Sequence, residues 1–182
     1  MNIALTWNLF VLAFFCIILA YSLMIGRNQT LKIILCTYVA ILTADGISNL
    51  LAHVAPPFIA VIFPGTDSLT AGLVLKVALF VAVIVFLSMK GNFQVTVDNE
   101  SSHLVTFVLN VAFGFLSAAL LLSTILVYVS GGSFLQLTAG ITNDAIESMK
   151  RSSPLVENLV VYYNVWFSAP AMAFAVTSFL KQ

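Results

Sequence analysis

The sequence predicts an all-α, polytopic membrane protein, and three observations predict it. Hydrophobic residues make up 61% of the 182 positions and charged residues only 8%, against about 25% charged in a soluble domain. Mean hydropathy is +1.09, so the chain cannot cover itself in water. The apolar residues also fall into separate runs, each close to the ~20 residues that cross a hydrocarbon core. Four spans are expected, at about 4–26, 31–54, 68–89 and 104–130. Amphipathic helices follow over 141–181, and all of this belongs to a single membrane domain across 1–182.

The first span, Ala4 to Gly26, has Trp7 and Tyr21 near its two ends, where aromatic side chains meet the interfaces. No Lys or Arg precedes it, which argues for a retained span rather than a removable signal peptide. Arg27 to Thr30 is so short a turn that spans one and two must be antiparallel neighbours. After Val54, Pro56 and Pro57 stop the second helix. The piece from Phe58 to Phe63 is too short to span and reads as a buried loop, or else as a dip into the membrane. The third span closes at Lys90-Gly91, the polar stretch GNFQVTVDNESSH forms a solvent loop, and the fourth span ends at Gly131-Gly132.

Beyond the fourth span, Ile141, Ala145, Ile146 and Met149 share one face of a short amphipathic helix. Ser153-Pro154 is a helix start, with serine as N-cap and proline in the first turn. From Leu155 to Leu180 the chain is apolar again. The cluster Tyr162, Tyr163, Trp166, Phe167 favours a helix lying at headgroup level, with a fifth span as the alternative.

Arg27, Lys32 and Lys90 flank loops on one side of the membrane, whereas the loop from Ala55 to Asp67 has no basic residue. The positive-inside rule then puts the N-terminus outside. Lys150 and Arg151 fall on the outer side, against that rule. Asn28 and Asn99 match a glycosylation pattern but lie in loops placed inside, so both are read as chance. Equal numbers of acidic and basic residues leave no basic field for nucleic acid. Cys16 and Cys36 each sit within a span, so neither a disulfide framework nor a metal site is expected.

One residue stands apart. Asp45 interrupts the second span, and Ser48, Asn49, Ala52 and His53 follow it at helical spacing as one polar stripe. Asp45 lies about 13 Å from the outer end of its helix at 1.5 Å per residue. Lys76, in the antiparallel third span, lies about 12 Å from the same end. An isolated mid-membrane charge costs about 2.5–3.5 kcal/mol on insertion scales, so an Asp45–Lys76 pair is the economical expectation. It can serve as a structural lock, or Asp45, Lys76 and His53 can line a path for protons or a small solute. A partner protein's polar residue is the third reading. In the fourth span, Asn110, Gly114 and Ala118 recur at a spacing of four, the pattern of close helix approach. No G-x-S-x-G, H-E-x-x-H or glycine-rich phosphate loop is present, so neither an enzyme nor a cofactor is expected.

Three stretches carry a family likeness. IGRNQTLKIILCTYVAILTA holds a tight basic turn at Gly26-Arg27, TFVLNVAFGFLSAALLLS centres on Gly114, and SSPLVENLVVYYNVW follows the fourth span. Together they resemble the CvpA (colicin V production) family of bacterial inner-membrane proteins. The chain departs from that family's pattern at Asn28, Asn110, Ser117 and Ala118. The resemblance implies four spans, an outer N-terminus, a membrane-associated C-terminal helix and an accessory role in toxin export or envelope function. The expected partners are the lipid bilayer and other membrane proteins or further copies of the chain. A small channel or transporter-like subunit is the alternative class, and a structural subunit of a larger membrane complex is another.

Overall fold

A computed structural model of the chain describes residues 7–54, 65, 68–90, 103–135, 147–148, 150–151 and 153–179. The expectations for 4–6, for 58–63, for the polar loop at 91–102 and for most of the 141–151 amphipathic helix lie outside the described residues. Every regular element among the described residues is a helix. They are α1 (Trp7–Val54), α2 (Ser68–Lys90), α3 (His103–Val129), α4 (Pro154–Val161) and α5 (Tyr163–Phe179).

Three of these helices contain a stretch long and apolar enough to cross a membrane: Asn8–Leu51, Thr70–Lys90 and Leu104–Val129. Four spans were expected, and the difference arises at Gly26. The first two expected spans run together in the 48 residues of α1, about 72 Å if straight, more than twice a ~30 Å hydrocarbon core. α1 is not straight. Gly26 has φ 78 and ψ 175, a region open essentially to glycine alone. Ser22 Oγ and Thr30 Oγ1 are 2.7 Å apart, although eight residues of straight helix would separate them by about 12 Å. Thr30 donates its hydroxyl proton to the Gly26 carbonyl at 3.0 Å, so Ser22 is the donor to Thr30. The two arms of α1 therefore double back at Gly26 itself, while Arg27 to Thr30, expected as the turn, are helical, and two hydroxyls close the bend.

In lipid, apolar burial does not drive helices together, and close van der Waals packing and interhelical hydrogen bonds take over. α3 supplies much of that packing by lying along α1. Leu31, Ile34 and Ile41 of α1 meet Phe80 of α2 and Phe113, Leu120 and Tyr128 of α3 in one cluster. A second cluster joins Val11 to Leu122 and Leu126 of α3 and to Val156 and Leu159 of α4. At Gly114 the helices touch so closely that a Cβ would stand 2.7 Å from Ser22 Oγ and 2.9 Å from Ser22 Cβ.

Ser153 caps α4 as its side chain accepts the Val156 N–H at 3.2 Å, with Pro154 at the first helical positions. The same hydroxyl donates to Asn8 Oδ1, tying the start of α4 to the start of α1. At Tyr162 the backbone leaves helical geometry (φ −98, ψ 28), and α4 and α5 meet at a bend of 68°. Tyr38 donates its phenol proton to the Phe167 carbonyl, which fastens α5 to the second arm of α1.

Candidate functional site: a buried ion pair

The site forms where three elements converge, and the end of α3 makes it possible. Gly131 adopts φ 85, the left-handed residue that terminates a helix. The Gly132 N–H returns to the Val127 carbonyl at 2.9 Å and the Gly131 N–H to the Tyr128 carbonyl at 3.0 Å, the two bonds of a Schellman cap. At Gly132 a Cβ would come within 2.8 Å of Val127 Cγ1, so only glycine lets the chain fold back so tightly. The cap turns the chain across the bundle and aims the next backbone donors at α1.

Asp45 receives them. Its Oδ2 accepts the Phe134 N–H at 2.8 Å and the Leu135 N–H at 3.2 Å. Its Oδ1 lies 3.2 Å from Lys76 Nζ as an ion pair, outside hydrogen-bonding alignment, so Oδ1 keeps an acceptor position open. Asp45 is wholly buried and Lys76 nearly so, at 0% and 9% exposure. Lys76 also donates to the Gly132 carbonyl at 3.4 Å and stands 5.4 Å from the centroid of the Tyr128 ring, within reach of a cation–π attraction. Tyr128 in turn donates its hydroxyl to the Ile41 carbonyl at 3.2 Å.

An aromatic cluster extends outward from this centre. The Phe134 ring lies 6.0 Å from Tyr128, 5.8 Å from Tyr163 and 5.1 Å from Phe167, centroid to centroid. Phe134 thus links the ion pair to α5. Its amide holds the Asp45 carboxylate while its ring packs on the C-terminal helix.

The polar stripe is only partly gathered. Ser48 is buried and donates to the Asp45 backbone carbonyl at 3.5 Å, whereas Asn49 is half-buried and His53 exposed at the end of α1. In α3, Gly114 and Ala118 are buried, with Gly114 facing Ser22 inside the fold. Asn110 is half-buried, with a buried Oδ1 that has no hydrogen-bond partner among the described residues. No group of three or more His, Cys, Asp or Glu able to hold a metal occurs among the described residues.

Nothing in the sequence pattern points to Tyr128, Gly132 or the Phe134 and Leu135 amides as partners of the pair. Backbone donors leave no mark in side-chain chemistry. The available signal is Gly131-Gly132, which by itself reads as a helix stop. A double glycine ending an apolar helix, near a buried carboxylate, also permits the chain to turn its N–H groups inward. Comparison with protein-family models, with curated proteins and with solved structures finds no match for this chain.

Proposed function

We propose that the protein is a multi-pass membrane scaffold or accessory subunit, working through helix–helix contacts and locked in register by the Asp45–Lys76 pair. One observation carries this reading. The carboxylate is fully buried and engaged at both oxygens by its own chain, on Lys76 and on two backbone amides. A group so occupied holds elements together, and a transported ion or proton would have to break three contacts to use it. The outward side chains of Leu12, Ile17, Met24, Phe86 and Met89 are exposed and apolar, suited to lipid and to other membrane helices.

In this reading the two arms of α1 are separate spans, giving four with α2 and α3. The basic turn lies inside and the N-terminus outside. The bent pair α4–α5 lies against the outer half of the bundle, with a broken fifth span as its alternative. The likeness to the CvpA family at Gly26-Arg27 and Gly114 extends the proposal to a bacterial inner membrane and to an accessory role in toxin export or envelope function.

A channel or transporter-like role is the second reading. It is favoured by the open acceptor position on Asp45 Oδ1 and by the buried Ser133 hydroxyl, which has no hydrogen-bond partner among the described residues. Purified protein in liposomes separates the two. The scaffold reading expects proton and cation flux no higher than in protein-free liposomes, together with stoichiometric co-purification of other membrane proteins from gently solubilised membranes. Flux that disappears in Asp45→Asn while the protein still inserts would overturn it.

A further inference from the structure

Away from the ion pair, at the end of the bundle where α1 doubles back, a cavity of about 270 Å³ opens between the arms of α1, the end of α2 and the middle of α3. α2 packs along α1 but only lightly on α3, and the cavity lies where those two separate. Ile18, Ile33, Ile84, Val85 and Leu121 make its walls, with Ser22, Thr30 and Ser117 among them. Ser22 donates to Thr30 and Thr30 to the Gly26 carbonyl, so those two hydroxyls are satisfied within the wall. Apart from the Ser117 hydroxyl, the interior is therefore apolar in effect. Its rim is not, because Tyr21 and Ser88 are exposed there, and Lys90, exposed, ends α2 directly after the lining residue Met89.

We propose that this cavity holds part of an acyl chain of an anionic phospholipid, with the headgroup phosphate against Lys90. Charge selects the headgroup. Among the described residues, Arg27 (buried), Lys32 (half-buried) and Lys90 (exposed) lie toward this end of the bundle, while Asp45 and Glu157 stand toward the other. A basic margin beside an apolar cleft between spans is the combination that retains acidic lipid headgroups. The rim tyrosine fits the same depth, since its ring is apolar and its hydroxyl seeks the interface. The proposal requires only that the chain sits in a bilayer, and it does not depend on any role for Asp45 and Lys76.

Native mass spectrometry of protein purified in mild detergent tests it, with phosphatidylglycerol and phosphatidylcholine offered at equal concentration. Wild type should retain phosphatidylglycerol preferentially, and Lys90→Gln should cut that preference about fivefold, the value of one basic side chain near such a headgroup. Val85→Trp, placed at a half-exposed wall position, should block the cavity and reduce retention of the anionic lipid while the elution profile stays unchanged. Glycerol 1-phosphate, which offers the headgroup anion without an acyl chain, should not displace the lipid. Equal retention of the two lipids by wild type, a preference unaltered in Lys90→Gln, full retention in Val85→Trp, or displacement by glycerol 1-phosphate would each overturn the assignment.

Discussion

Replacing Asp45 by Asn removes one charge and almost no volume, which makes it the sharpest probe of the ion pair. The amide oxygen can still accept from the Phe134 and Leu135 N–H groups, now as neutral bonds about half as strong. Lys76 fares worse. At 9% exposure and about 12 Å from the end of its helix, it keeps its charge with only the Gly132 carbonyl and the Tyr128 ring as partners. Stranding one member of a buried pair costs about 3–5 kcal/mol, in line with the ~2.5–3.5 kcal/mol of an unpaired mid-membrane lysine. Lys76→Met alone leaves a buried, unpaired carboxylate and should cost a similar amount. Asp45→Asn with Lys76→Met removes both charges, and buried pairs replaced by neutral groups of similar size are often close to neutral.

The double-mutant cycle should therefore show a coupling close to the sum of the two single losses, about 6 kcal/mol or more, with the double variant more stable than either single one. Reversible unfolding in mixed micelles, followed by tryptophan fluorescence, measures it. Additive losses, or an Asp45→Asn variant as stable as wild type, would refute the pair as a lock.

Further outcomes follow from single positions. Gly114→Ala should destabilise by about 1–3 kcal/mol through overpacking against Ser22, and Ser22→Gly in the same chain should recover part of the loss in thermal-shift measurements. Nothing lies within 4 Å of a Cβ at Gly26, so Gly26→Ala should cost only backbone strain, about 1–3 kcal/mol. Gly26→Asn should do no better, because asparagine tolerates the left-handed helical region but not ψ 175. Ser153→Ala removes the α4 cap and the bond to Asn8, a loss of about 1 kcal/mol, visible as faster proteolysis of the C-terminal helices.

Asp45 and Lys76 could be paired from the sequence because helix rise is constant and the third span is antiparallel to the second. Two offsets from a shared end then fix two depths. Ser153-Pro154 was legible for a similar reason, since cap chemistry is local. Phe134 and Leu135 were not, because what they offer Asp45 is main chain, aimed by the left-handed conformation of Gly131. The bend at Tyr162 was also hidden, because the residue leaves helical geometry with no Pro or Gly to announce it. Gly26 lies between these cases. The basic turn implies a reversal, but the reversal falls on Gly26 alone, whose φ 78 and ψ 175 break the helix while helical residues flank it on both sides.

Why lysine rather than arginine stands at position 76 follows from what Asp45 has left to offer. Arginine's advantage is a planar fork that grips both carboxylate oxygens. Here Oδ2 is already taken by two amides, so a guanidinium would reach only Oδ1. Its remaining N–H groups would need acceptors in a space where Lys76 finds the Gly132 carbonyl and the Tyr128 ring. Each buried donor left unsatisfied costs about 1–3 kcal/mol. With Asp45 present, stability should fall in the order wild type, Lys76→Arg, Lys76→Met. In the Asp45→Asn background the order should invert, with Lys76→Met the most stable, because no carboxylate remains to neutralise either cation. The same micelle unfolding assay reads both series. A Lys76→Arg variant as stable as wild type would mean that Asp45 Oδ2 can leave the Phe134 and Leu135 amides, and that the segment after α3 is not held by the carboxylate.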